Sequence, residues 1–86
     1  MPKAEIHFVP DESILKAISK VIKSERNKQG LTQEALSDKA DLTLRHVQRF
    51  ETNQLNPSLC SFIKIAKGLD IPADELLRNV MFEIQS

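Results

Sequence analysis

Apolar residues recur along most of this chain at spacings of three and four, the period of a helix that buries one face. Ile14, Ile18, Val21 and Ile22 set that period after Pro10-Asp11, and Arg26 continues the row. Asp11 has the short acceptor side chain suited to a helix start. Gly30 predicts the stop, because glycine just past a helix adopts the left-handed conformation without strain. Thr32 predicts a second start, with Glu34 favoured at the positive end of the helix and Ala35, Leu36 and Ala40 as a short apolar face. Asp41-Leu42 breaks that helix and Thr43 caps a third, in which Phe50 and either Leu44 or Val47 would turn inward. Asn53 suits a left-handed stop, and Asn56-Pro57-Ser58 predicts a loop followed by a new start. A fourth helix is expected from about Leu59 to Gly68, with Leu59, Phe62, Ile63, Ala66 and Leu69 as its stripe. Pro72 opens a fifth, with Asp74 and Glu75 near its start and Ala73, Leu76, Leu77 and Val80 inward.

The two flanks follow a different period. Glu5 to Val9 and Val80 to Ile84 alternate apolar and other residues, which predicts short β-strands at the chain ends. The expected fold class is therefore all-α, five helices, with short strands at the ends. Its parts are an N-terminal extension over 1–10, a helical domain over 11–79 and a C-terminal strand over 80–86.

A length of 86 residues suits one small domain. Trp and Tyr are absent, so the core must be mainly aliphatic. No run approaches the ~20 apolar residues of a membrane span, and the first residues lack the basic-then-apolar order of a signal peptide. With one cysteine, Cys60, no internal disulfide can form; Cys60 reads as a small core or boundary residue. A cytoplasmic protein is expected, with no metal and no cofactor, since no metal-ligand spacing is present. His7 reads as a surface residue. Catalysis is not expected: there is no Ser/His/Asp set and no glycine-rich phosphate loop, and the adjacent acids Asp74 and Glu75 diverge on a helix where a site needs converging groups.

The zero formal net charge argues against a nucleic-acid partner, but its distribution does not. Residues 13–60 carry eight Lys or Arg against five Asp or Glu, and the acidic excess sits at the ends. Lys16, Lys20 and Lys23 read as a solvated helix face. Helices two and three are separated by a turn of three or four residues, the arrangement in which one helix crosses the DNA backbone and the next enters the major groove. The second helix then needs long polar side chains on its outer face, and LTLRHVQRF (42–50) supplies Arg45, His46, Gln48 and Arg49. Arginine can bond guanine in bidentate fashion, and Arg45 and Arg49 share a face, four residues apart.

From Gly30 to Leu77 the chain resembles the lambda-repressor and Cro-like (XRE-type) helix-turn-helix DNA-binding family. The resemblance is carried by Gly30-Leu31-Thr32-Gln33-Glu34-Ala35-Leu36, by Val47 and Glu51, and by Asn56-Pro57-Ser58-Leu59. Ile65-Ala66-Lys67-Gly68-Leu69 and Asp74-Glu75-Leu76-Leu77 continue it. The resemblance implies that Gln33 bonds a phosphate and braces the recognition helix, and that Thr43 contacts the DNA backbone. It places Leu44, Arg45, His46 and Arg49 at bases, and Gln54 and Asn56 at phosphates; Gln48, on the same exposed face, is also expected at a phosphate. Phosphate contacts would fix register and base contacts would specify sequence. Arg26 would form a structural ion pair with Glu51. Three positions depart from the family pattern. Asp41 and Asn53 stand where glycines are usual, though both residue types tolerate positive φ. Leu44 stands where a polar base reader is frequent, and can touch a thymine methyl or simply pack.

The resemblance further implies a homodimer on a palindromic operator. Val80, Met81, Phe82 and Ile84 form the expected interface, as an apolar patch that a monomer would expose. The implied function is a sequence-specific regulator of transcription from a bacterium or phage, a repressor, with double-stranded DNA as partner and no small-molecule substrate. A separate effector-binding domain is not expected in a chain of this length. The alternative is the antitoxin of a toxin–antitoxin pair, holding a toxin protein as well as DNA, or a restriction–modification controller.

Overall fold

The computed structural model describes residues 11–54 and 56–85. Five helices follow one another: α1 (Glu12–Lys28), α2 (Gln33–Ala40), α3 (Leu44–Glu51), α4 (Leu59–Gly68) and α5 (Ala73–Gln85). The expected N-terminal strand and His7 lie outside the described residues.

Local chemistry sets the boundaries. The Asp11 carboxylate accepts from the amides of Ser13 (2.9 Å) and Ile14 (3.4 Å) at the start of α1. The Ser13 hydroxyl and these two amides hold that carboxyl below its ordinary pKa. Thr32, Thr43 and Ser58 each accept the amide three residues on, at 3.0, 3.1 and 3.0 Å. Each such cap satisfies one of the donors a helix start leaves unpaired. The stops use the left-handed region: Gly30 (φ 69°), Asp41 (57°), Asn53 (66°) and Asp70 (59°). Asp41 and Asn53 thus take the conformation for which glycine is usual. Asp70 ends α4 in the same way, a stop the sequence analysis did not single out.

Val80 to Ile84 do not form a strand. They are the last turns of α5, because Leu77, Val80, Met81 and Ile84 satisfy the helical period as well as the alternating one. No glycine or proline interrupts the segment after Pro72. Continuing the helix pairs the segment's amides with carbonyls of the preceding turn, whereas a lone strand would need a partner.

Helix α1 packs on α3 and α5, α2 on α3 and α4, and α4 on α5. The centre is filled by Ile22, Leu36, Val47, Phe50, Ile65, Leu69 and Leu76, all enclosed. Complete burial of such a side chain contributes about 1.5–3 kcal/mol. The inward face of α4 is Phe62, Ile65 and Ala66, with Leu69 just beyond; the expected Leu59 and Ile63 point outward. Ile65 lies three residues after Phe62 and continues its row, while Ile63 sits on the far side. On α3, Val47 rather than Leu44 is the buried partner of Phe50, and on α5 Leu77 is exposed.

Gly68 lets α4 approach α2. A methyl group there would lie 2.9 Å from Ala40 Cβ and 2.9 Å from Leu36 Cδ1, and 3.0 Å from the Ala40 nitrogen. Leu36 can yield, but Ala40 belongs to the helix backbone. Gly68→Ala is therefore expected to lower the melting temperature. Overpacking costs roughly 1–3 kcal/mol, against about 1 kcal/mol regained in helix propensity. Thermal unfolding followed by circular dichroism checks this, at about 4–8 °C per kcal/mol. A raised Tm would show that α2 gives way freely.

Candidate nucleic-acid interface

Helices α2 and α3 are joined by Asp41, Leu42 and Thr43. The Leu42 amide donates to the Ser37 carbonyl at 2.9 Å, and the half-buried Leu42 side chain packs on the core. The turn is therefore anchored at both its backbone and its side chain. Below it, Val47 and Phe50 fix the inner face of α3. The outer face is left to Arg45, Gln48 and Arg49, all exposed. Neither arginine has an ion-pair partner among the described residues, so both guanidinium groups can meet an external anion or base edge.

A groove of about 430 Å³ lies on this side, lined by Gln33, Arg45, Gln48, Arg49, Thr52 and Gln54. Five of these were singled out in the sequence, and the fold gathers them from α2, α3 and the following loop. Thr52 was missed. It falls four residues after Gln48, and its hydroxyl donates to the Gln48 carbonyl at 2.8 Å, so a helical projection would have placed it beside Gln48.

The other expected contacts lie around the groove rather than in it. Thr43 is exposed; its oxygen accepts from the His46 amide, and its hydroxyl proton remains able to reach a phosphate. Asn56 is exposed and Leu44 half-buried. His46 stands apart: its ring stacks on Phe50, with centroids 5.4 Å apart and planes 24° from parallel. Its Nε2 is enclosed and bonded to no described group, which leaves Nδ1 as its atom for an outside partner.

Arg26 and Glu51 meet as a bidentate pair. Arg26 Nε donates to Glu51 Oε2 at 2.6 Å, and a terminal guanidinium nitrogen donates to Oε1 at 3.0 Å. The other terminal nitrogen donates to the Leu31 carbonyl at 2.7 Å. The pair thus ties α1, the α1–α2 loop and the end of α3 together. Gln33 Nε2 adds a third bond, donating to Glu51 Oε1 at 3.1 Å.

Across the molecule an apolar groove of about 730 Å³ runs between α1, α4 and α5. Ile14, Ile18, Leu59, Leu77, Met81 and Ile84 supply much of its lining. This revises the expected interface patch. Val80 is only 2% exposed and belongs to the monomer's own core, while Ile84 is half-buried. Phe82 is 73% exposed but lines a different hollow, beside Lys20 and Lys28. Reading the segment as a strand put Val80, Phe82 and Ile84 on one side. A helix turns 100° per residue and separates Phe82 from Met81.

Among the described residues no group of three or more His, Cys, Asp or Glu could hold a metal ion. No described helix is long and apolar enough to cross a membrane.

An anchored turn between two short helices, with an unpaired basic face on the second, defines a helix-turn-helix unit. Comparison agrees: the helix-turn-helix family model matches residues 22–76. The chain belongs to the helix-turn-helix family. Among solved structures it is similar to the wild-type restriction–modification controller protein C.Esp1396I, with 32% sequence identity and a TM-score of 0.79 over 85% of this chain and 94% of that one. It is likewise similar to the same controller as a tetramer in complex with its natural 35-base-pair operator, at 32% identity and a TM-score of 0.80 over 85% and 96%. No curated protein matches the sequence.

Proposed function

We propose that this protein is a sequence-specific double-stranded-DNA-binding regulator of transcription, acting as a homodimer on a palindromic operator. The groove that gathers Gln33, Arg45, Gln48, Arg49 and Gln54 around the outer face of α3 carries this reading. Arg45 and Arg49 read bases in the major groove. Gln33, Thr43, Gln48, Gln54 and Asn56 hold phosphates, and Leu44 and the remaining nitrogen of His46 lie at the edge of the base contacts. Similarity to an operator-bound controller protein favours one particular setting, the control of restriction–modification genes, over an antitoxin role. The apolar groove beside α5 seats the second copy, through Ile14, Leu59, Leu77 and Met81 rather than the buried Val80. No step in this function asks for catalysis or a cofactor, and a cytoplasmic location accords with it.

The test is a titration into labelled DNA from upstream of its own gene, with excess random duplex, at two salt concentrations. Tight binding that survives the competitor is expected. Arg49→Ala should weaken it by about 10- to 100-fold, the value of one good base contact, with less effect on random DNA. Binding that is weak, erased by salt and indifferent to Arg49 would leave only a non-specific phosphate interaction and would refute the reading.

A further inference from the structure

We infer that Glu51 is a positioning residue for DNA binding: it orients the Gln33 amide so that one N–H is held and the other is presented to a DNA phosphate. This rests on the DNA-binding reading above.

A carboxylate can only accept, so the Gln33 nitrogen must face Glu51 Oε1, as it does at 3.1 Å. The Glu51 side chain is 1% exposed and is itself held by two bonds from Arg26. The acceptor is therefore fixed, and so is the side of the amide that carries nitrogen. An unanchored glutamine at a surface can turn its amide over and present oxygen, which a phosphate repels. Gln33 cannot do so without losing its bond to a buried charge. Its second N–H remains for the groove that it lines with Arg45 and Arg49. Gln33 is also the first residue of α2, where the helix dipole favours an anion.

Arg26 makes the arrangement workable. A bare carboxylate behind a phosphate site would repel the DNA. The bidentate guanidinium cancels that charge and leaves the lone pair that Gln33 uses. The chain Arg26–Glu51–Gln33 thus carries the helix-one ion pair through to the backbone contact.

The sign of one effect separates this from simple electrostatics. Removing a negative charge near the interface should tighten DNA binding if charge alone matters. Positioning predicts the opposite. Binding is measured for wild type, Gln33→Ala, Glu51→Ala and the double variant, at a temperature where circular dichroism shows each folded. The probe is a duplex selected by the wild-type protein from a random-sequence pool, with a random duplex beside it. Gln33→Ala should weaken binding about tenfold, the scale of one hydrogen bond to a charged group. Glu51→Ala should weaken it several-fold despite the lost negative charge, and the double variant should be no worse than Gln33→Ala. The loss should be similar on both duplexes, because phosphate contacts carry no sequence information. Tighter binding by Glu51→Ala, or losses that multiply in the double variant, would overturn the inference alone. Failure of the wild-type protein to bind any duplex would overturn the functional reading with it.

Should Glu51→Ala not fold, the wild-type protein decides by NMR. One Gln33 side-chain amide proton should be shifted and slow to exchange in the free protein, and the other should shift on adding the selected duplex. Two protons behaving like those of an exposed glutamine would overturn the inference.

Discussion

Glu51→Ala is expected to destabilise the fold by about 3–5 kcal/mol, the usual cost of removing one partner from a buried ion pair. For a domain of this size that corresponds to a fall in Tm on the order of 15–30 °C. The reason lies in what remains. The Arg26 side chain is 12% exposed, and its Nε and one terminal nitrogen would be left without their acceptor. The Leu31 carbonyl would keep only the third guanidinium donor. Gln33 would lose its partner at the same time. Replacing both charges, as in Arg26→Met with Glu51→Leu, should cost much less, because no charge is stranded. Thermal unfolding of the single and double variants checks this. An unchanged Tm for Glu51→Ala would show that the pair does not tie α1 to α3.

The second large effect concerns assembly. Leu77→Asp together with Met81→Asp should leave a folded monomer that no longer pairs. Both side chains are about half exposed in the single chain, so charge there meets water and the monomer core is untouched. In a dimer the same carboxylates would be buried against apolar surface without partners, which is strongly unfavourable. Sedimentation should show the monomer, and operator affinity should fall by about 100-fold or more as the second half-site is lost to each protein. The same pair of changes with an unaltered sedimentation coefficient would place the interface elsewhere. Phe82→Asp makes a useful contrast: its side chain lines a different hollow from Met81, so it should leave pairing intact.

The helical period made the five helices and their caps legible in the sequence. Thr32, Thr43 and Ser58 each had the right side chain at the right place, and the structure uses all three as caps. Resemblance supplied what periodicity could not, the meeting of Arg26 and Glu51 across 25 positions. Errors came where two periods fit the same residues. Val80 to Ile84 satisfy strand and helix alike, and the structure continues α5 through them. On α4 the expected stripe took Ile63, whereas Ile65, three residues after Phe62 on the same row, is the one buried. Gly68 was expected only as the approximate end of the fourth helix, but it allows a close approach to Ala40, a relation between distant segments that no local pattern encodes. The contact between Gln33 and Glu51 is of the same kind. The roll of groove residues was mostly readable because helical neighbours and the resemblance point to the same face. The inward turn of His46 was not, since its ring could equally have pointed away.

The shortness of α3 limits how much it can say. Eight residues at about 1.5 Å each make a rod of roughly 12 Å, the length of some three or four base pairs at about 3.4 Å apiece. Each pair is a choice among four, so one such rod names an address that recurs by chance roughly every one or two hundred positions, among the ~10⁶ or more positions a genome offers. Two rods held at a fixed separation square that rarity. In the proposed dimer, the information that picks out a promoter is therefore stored less in the arginines than in the apolar groove proposed to set how far apart two copies of them stand.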